Sequence, residues 1–383
     1  MSQSSSHPHL SATDEAGTVT LFLCGDVMTG RGIDQILSHP SAPNLHEHYV
    51  RDASIYVKLA EDVSGAISTP VEASYLWGEA LQELDRVSPD VRIINLETSI
   101  TTSEDYWREK GIHYRMHPAN VTSLKVMHPD VVVLANNHVL DYGYDSLAET
   151  LATLRQAGIE TAGAGCNLDE AQRPATIRVR RTNVILVFGL GTEDSGVLPT
   201  WSALEHRPGV NLLDSLSERA VLALGERMRA AKRPGDLVVA SIHWGSNWGY
   251  EVPTAHTRFA HRLIDLGVDL VYGHSSHHPR PIEVYDGKLI LYGCGDFIND
   301  YEGIRGYEKF RDELRLMYFT QLDALTGSLV QLRMVPMKSV RLQLTRTARE
   351  DAEWLSRTLT KASLRFGTRT TLLGDDSLLL EWK

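Results

Sequence analysis

The stretch "VVVLANNHVLDYG", residues 131–143, decides how the rest of the chain reads. Its unbroken apolar run, Val131 to Leu134, is the pattern of a strand buried on both faces. The run ends in Asn136-Asn137-His138, two amides and an imidazole where the strand leaves the core. Alone, that is a turn with polar caps, Asn136 being the natural turn residue. Four other runs end in the same residue types. "TVTLFLCGD" (18–26) ends in Asp26, "VRIINLETS" (91–99) carries Glu97, "DLVVASIHWG" (236–245) carries His243, and "VDLVYGHSSHH" (268–278) carries His274, His277 and His278. In open α/β sheets, ligands bind outside the carboxyl ends of the strands. One shared site explains all five endings, where independent turns would each need a separate reason.

Further strands are expected at "NVILVFGLG" (183–191) and "KLILYGCGDF" (288–297), and helices at "SLAETLATLRQAG" (146–158) and "LSERAVLALGERMRAAKRPG" (216–235). The second helix has a basic last turn and a Pro-Gly stop. Strands alternating with helices predict an α/β fold. Residues 35–90 hold no strong strand and read as a helical insertion near the site mouth. Residues 310–383 read as a β-rich extension. In it "LMYFTQLDALTGSLVQLRMVPM" (316–337) forms a hairpin turning at Thr326-Gly327, and a helix follows over 349–367. Residues 1–17 are polar and expected to be a disordered leader, with a single domain over 18–383.

Charged residues make up 23% of the chain and the net charge is −11, against a nucleic-acid binder, which needs a basic face. The three cysteines form no CxxC pair, so a disulfide framework is not expected and a reducing compartment is the simpler reading. Cys24 and Cys294 follow apolar runs and read as buried, inert thiols. No basic-apolar signal pattern opens the chain, and no apolar run approaches the ~20 residues that span a bilayer. The expectation is a cytoplasmic protein without membrane contact.

The donor mixture indicates chemistry. Two carboxylates, an amide oxygen and several imidazoles suit one or two divalent ions of borderline softness, such as Mn, Fe, Zn, Ni or Co. Without a thiolate set, a structural zinc finger is excluded. Two ions ~3.5–4 Å apart need a bridging oxygen, and Glu97 is the candidate. Asp141, three residues after His138, is placed to orient that imidazole. In "GIHYRMHP" (111–118), Tyr114 and Arg115 are candidates to bind a substrate carboxylate, which the guanidinium fork suits. In "HWGSNWGYE" (243–251), Trp244 and Trp248 are candidates for an apolar pocket wall.

As an ordered set, Gly25-Asp26, Asn95-Leu96-Glu97, Asn137-His138, His243-Trp244-Gly245, Gly273-His274-Ser275-Ser276-His277 and Gly295-Asp296-Phe297 resemble the CapA branch of the calcineurin-like metallophosphoesterase superfamily. The branch also shows an Arg after its first motif, here Arg31, and a segment similar to "GAGCNLDEA" (163–171). The resemblance covers about residues 18–305. It implies a four-layer β-sandwich flanked by helices. It implies that Asp26 and His277 hold one ion, that His243, His274 and Asn137 hold the other, and that Glu97 bridges. His138 would donate a proton or polarise a carbonyl, and Arg31 would meet the substrate. Met28 stands where the wider superfamily has a ligand His, and Glu97 where it has Asp; both weaken the transfer of phosphatase activity.

Three functions fit. The first is a metal-dependent epimerase, removing a Cα proton beside a polarised carbonyl and returning it from the other face; the resemblance to soluble members of the branch implies a ribosomal, lasso-type precursor peptide as its substrate. The second is a CapA-like hydrolase or poly-γ-glutamate capsule enzyme acting on a phosphoester or amide bond. The third is a non-catalytic binding component. A chain without signal or anchor, aromatic near its site, favours the epimerase, with a precursor peptide or peptide-like substrate as partner.

Overall fold

A computed structural model describes residues 17–179 and 183–383. Apart from Gly17, the leader expected over 1–17 lies outside the described residues. Two large sheets organise the rest. The first runs in the order Arg369–Leu372, Leu378–Glu381, Leu329–Val340, Leu314–Asp323, Thr18–Val27, Val91–Leu96, Val131–Val133 and Glu160–Ala162. Its last four strands are mutually parallel, so their carboxyl ends open on one edge. The second sheet centres on Val184–Thr192, Leu237–His243, Leu270–His274 and Lys288–Leu291, again all parallel.

Alternation within the strands sorts the side chains between separate cores. Leu21, Leu23, Ile93 and Val133 of the first sheet share one core with Ile185, Val187, Val239 and Leu291 of the second. The opposite face of the first sheet (Phe22, Ile94, Val132) packs with Leu147, Leu151 and Leu154 of helix Gly143–Gln156. The opposite face of the second (Phe188, Val238, Ala240) packs with Val221 and Leu224 of helix Glu218–Ala231 and Phe259 and Leu263 of helix Thr254–Asp265. These helices follow their sequence signals: Ser217 accepts the N–H of Ala220 at the start of one, and Gly158 takes φ +76° just past the end of another. Truncating a buried Leu such as Leu147 to Ala would cost about 2–5 kcal/mol. The result is a mixed α/β fold built on multiple sheets. No helix among the described residues is long and apolar enough to cross a membrane.

Two expectations change. "KLILYGCGDF" is two strands rather than one. Lys288–Leu291 belongs to the second sheet, and Asp296–Ile298 joins the first beside Thr18–Val27, with Asp296 opposite Asp26. The chain crosses between sheets through Tyr292–Gly295, and it needs glycine to do so. Gly295 has φ +78°, and a Cβ at Gly25 would lie 2.0 Å from the Gly295 carbonyl oxygen. The C-terminal "extension" is also integral. Leu314–Asp323 pairs antiparallel with Thr18–Val27 in the middle of the first sheet, and the hairpin to Leu329–Val340 turns through Gly327 at φ +67°. Residues 35–90 carry no named strand and hold helices Ser54–Ser64 and Glu79–Val87, with irregular chain between them.

Candidate metal centre

Parallel pairing brings the strand ends together. His243 and His274 are register partners in adjacent strands, and their Nδ1 atoms lie 2.8 Å apart. Asp26, at the matching edge of the first sheet, places Oδ1 3.8 Å from His274 Nδ1. These three buried side chains are the triad among the described residues able to hold an ion. His243 Nε2 faces the Asn137 amide oxygen at 2.9 Å; read as a donor there, it leaves the Nδ1 lone pair toward His274. Glu97 stands between two imidazoles, its Oε1 3.9 Å from His138 Nε2 and 3.8 Å from His243 Nε2. Its Oε2 is buried without a hydrogen-bond partner.

Burial acts with opposite sign on the two kinds of donor. It raises the Asp26 carboxyl to about 7, helped by the neighbouring Asp296 carboxylate. It raises Glu97 well above the usual range, helped by Asp26. It lowers His274 to about 3 and drives His243 well down, helped there by His274. Clustered buried carboxylates facing unprotonated imidazoles, with an orphaned carboxylate oxygen among them, fit a divalent cation.

A polar network fixes the acidic side. Asn95 donates to Asp26 Oδ1 at 2.8 Å and the Ser275 N–H donates to Asp26 Oδ2 at 2.9 Å. Asn136, expected to be a turn residue, is buried and does more. Its amide donates to Asn95 Oδ1 and to the Leu96 carbonyl, and its oxygen accepts the His138 N–H. His138 Nδ1 lies 2.6 Å from Asp141 Oδ2, which puts the ring proton on Nδ1 and turns a free Nε2 toward Glu97. Burial, opposed by Asp141 and reinforced by Lys110, lowers His138 to about 4. Lys110 reaches Asp141 Oδ1 and the Asn137 carbonyl, and Asp141 Oδ2 also accepts the Tyr114 N–H at 2.7 Å.

His277 lies on the other flank. Its Nδ1 is 2.9 Å from Asp296 Oδ1 and its Nε2 is 2.9 Å from the Asn247 amide. Asn299 donates to Asp296 Oδ2 at 2.6 Å, and Arg315 donates to Asn299 Oδ1 at 2.8 Å. His278 turns away: its Nε2 accepts the Gly249 N–H and its ring stacks on Phe310.

The family follows from this ordered set of strand ends: the model of the bacterial capsule synthesis protein PGA_cap matches residues 20–301. The chain belongs to that family. Within it, the chain is 50% identical over 361 residues to a probable polyglutamine synthesis accessory protein of Mycobacterium tuberculosis, covering 94% of this chain and 95% of the relative. It is 31% identical over 226 residues to the PGA biosynthesis protein CapA of Bacillus subtilis, covering 58% of this chain and 56% of the relative. It is 26% identical over 305 residues to the capsule biosynthesis protein CapA of Bacillus anthracis, covering 78% and 63%. These names overturn the expected peptide epimerase. A relative matched along nearly its whole length is named for polyglutamine synthesis, and none of the three names speaks of epimerisation or of a lasso peptide.

The substrate candidates separate by burial. Trp244, expected on a pocket wall, is buried in the core: its ring stacks on His256 and its Nε1 donates to the Tyr292 carbonyl. Arg31, expected at the substrate, is buried against Asp300, which it grips with two bonds, and Glu47, with its guanidinium over the Tyr56 ring. Arg115 bonds the Ser103 and Ala42 carbonyls and covers Tyr142. Tyr114 meets the His138 ring edge to face at 4.6 Å, and Trp248 lies 5.2 Å from His277, stacked on the partly exposed Tyr307. Lys110, Asp296 and Asn299 were not among the expected site residues. Asp296 had a signal, a second Gly-Asp at a strand edge like Gly25-Asp26; Lys110, in a polar loop, had none.

Proposed function

We propose that this chain is a metal-dependent accessory enzyme of glutamate-polymer synthesis that hydrolyses an amide bond of the polymer. The relatives' names support the polymer, and the donor set supports the metal. The observation that carries the reading is Glu97, a buried carboxylate with an orphaned oxygen set between His138 and His243 beside the Asp26, His243 and His274 triad. In this reading the two sheets form the four-layer sandwich of the metallophosphoesterases. Asp26, His243 and His274 hold one ion of the Mn, Fe, Zn, Ni or Co class, Glu97 and Asn137 border it, and His277 with Asp296 flanks a second position.

A bound ion would supply Lewis-acid polarisation of the amide carbonyl and a water of lowered pKa. The residues supply the proton path. His138, neutral at pH 7, takes a proton at Nε2 as the water oxygen bonds to the carbonyl carbon. It returns that proton to the amide nitrogen as the C–N bond breaks. Asp141 stabilises the transient imidazolium through Nδ1–H, and Lys110 holds Asp141 in place. Tyr114 fixes the ring plane by its edge contact.

The test is to load the purified chain with each candidate ion and add poly-γ-glutamate or polyglutamine. Size-exclusion chromatography and an amine assay should show shorter chains and new amino ends. Chelation should abolish the change and metal should restore it. Full ion occupancy with polymer length and amine count unchanged would remove the hydrolase reading and leave a binding component.

A further inference from the structure

The two flanks of the centre treat their imidazoles differently. On the first, His243 and His274 turn Nδ1 toward each other at 2.8 Å, and Asp26 Oδ1 stands 3.8 Å from His274 Nδ1. The ligand atoms of these three side chains lie within 4.8 Å of one another. On the second, both ring nitrogens of His277 have partners in the chain itself. Nδ1 meets Asp296 Oδ1 and Nε2 meets the Asn247 amide, each at 2.9 Å. Among the described residues, His277 and Asp296 belong to no comparable set of three ligand residues.

An imidazole binds a metal through a nitrogen whose lone pair is free. Asp296 accepts a proton from Nδ1, as carboxylates behind ligand histidines do, and that leaves the lone pair on Nε2. This half of the arrangement would suit a ligand. Asn247 changes it. Its NH₂ group donates to Nε2 and so spends the lone pair. Turning the amide over does not free it, because the amide oxygen would then need a proton on Nε2.

The loop that carries Asn247, Gly245–Gly249, is tied to the segment that carries the histidines. Ser275 donates to the Gly245 carbonyl at 3.2 Å, and Arg280 Nη2 donates to the Ser246 carbonyl at 2.6 Å and to its hydroxyl at 2.9 Å. The His277 N–H donates to the Asn247 carbonyl at 3.0 Å, and the Gly249 N–H to His278 Nε2 at 3.0 Å. Trp248 closes the loop from outside by stacking on Tyr307 at 4.0 Å. Lifting Asn247 off His277 with its backbone would break these contacts together.

We infer that Asn247 makes this a one-ion centre: its amide fills the place at His277 Nε2 that a second ion would need. Asn247 is then the residue that sets ion number, and His277 is a hydrogen-bonded flank of the centre, not a ligand. The inference rests on the reading that Asp26, His243 and His274 hold the first ion.

Manganese on the full chain tests it, because two such ions ~3.5–4 Å apart give a spin-coupled EPR spectrum and a lone ion does not. The wild-type chain, stripped with a chelator and titrated, should saturate at one ion by elemental analysis, without a coupled signal. His277→Ala should keep that ion, where His274→Ala loses it. Diethyl pyrocarbonate, which acylates an imidazole nitrogen whose lone pair solvent can reach, checks the cap itself. By mass spectrometry, His277 should react about tenfold or more faster in Asn247→Ala than in wild type, the worth of one hydrogen bond. Asn247 is exposed and lies in a loop, so this variant stays informative if His277→Ala fails to fold. Two coupled ions in the wild type, or loss of the ion from folded His277→Ala, would overturn the inference and keep the metal. Equal labelling of His277 in wild type and Asn247→Ala would overturn it too. No manganese bound at all would remove the metal reading itself, and the inference with it.

Discussion

The two sheets bring opposite chemistry to one edge. The first supplies Asp26, Asn95, Glu97, Asn136 and Asn137, which are acids and amides. The second supplies His243 and His274. Burial pushes both sets toward neutrality from opposite directions: Asp26 up to about 7, His274 down to about 3. The difference teaches what each sheet is for. Left alone, the acid edge holds protons it would lose in water, and the imidazole edge keeps only the single ring proton of its neutral form. A divalent cation between them favours the ionised carboxylate and the bare imidazole at once, so the two edges suit the same guest.

The largest expected effect comes from breaking the imidazole side. His243→Ala or His274→Ala removes one of the two imidazoles of the triad. Metal content by elemental analysis should fall from stoichiometric to near zero at matched protein concentration. The proposed polymer cleavage should fall at least about a hundredfold, because an ion's charge stabilisation is worth several kcal/mol. Full metal content in both variants would show that the ion sits elsewhere.

Breaking the acid side should matter somewhat less. Glu97→Gln keeps the shape and removes the charge facing His138 and His243. Asp26 and the imidazoles would still hold an ion, so affinity should drop about 10–100-fold without vanishing, measured by competition with a chelating dye. Unchanged affinity would mean that the orphaned Oε2 faces no ion.

The strand ends were legible because burial on both faces makes parallel strands read as apolar runs, and a polar residue closing such a run stands out. Asp26, Glu97, Asn137, His243 and His274 were expected on that ground, and the fold brings them to one edge. What the pattern hides is partnership. Whether a tryptophan after a ligand faces a pocket or the core depends on the next layer, and Trp244 meets His256 there. An arginine near a motif reads as a substrate clamp until its carboxylates appear from far along the chain, as Asp300 does for Arg31 at a separation of 269 residues. The break in "KLILYGCGDF" was hidden too, since a chain that crosses between sheets keeps its apolar pattern while it changes neighbours. That crossing is what sets Asp296 beside Asp26.

A third test separates holding the ion from using it. Asp141→Asn or Lys110→Met should leave metal content intact, because neither belongs to the triad. Either change loosens the His138 tautomer, and cleavage should fall about 10–100-fold. A matching loss of metal would make these residues part of ion binding instead.

The smallest effect probes a carboxylate set behind the imidazole side. Asp194 supports the turn after His243: its Oδ1 accepts the Gly245 N–H at 3.1 Å and the Thr192 hydroxyl at 2.5 Å, and its Oδ2 lies 2.7 Å from His256 Nε2. Burial opposes its ionisation, but these bonds, led by that of His256, prevail and bring it down to about 2. A carboxyl depressed in the folded state adds stability that is present above its unfolded value near 3.9 and is lost as pH falls toward 2. Asp194→Asn should therefore flatten the stability profile between about pH 4 and pH 2 and lower stability at pH 7. The side chain is about half exposed, so solvent screening keeps the change under about 1 kcal/mol. Urea unfolding at pH 7 and pH 3 measures it. An acid limb identical in both proteins would show that the carboxylate only decorates the turn, and that the imidazole edge stands without acidic support.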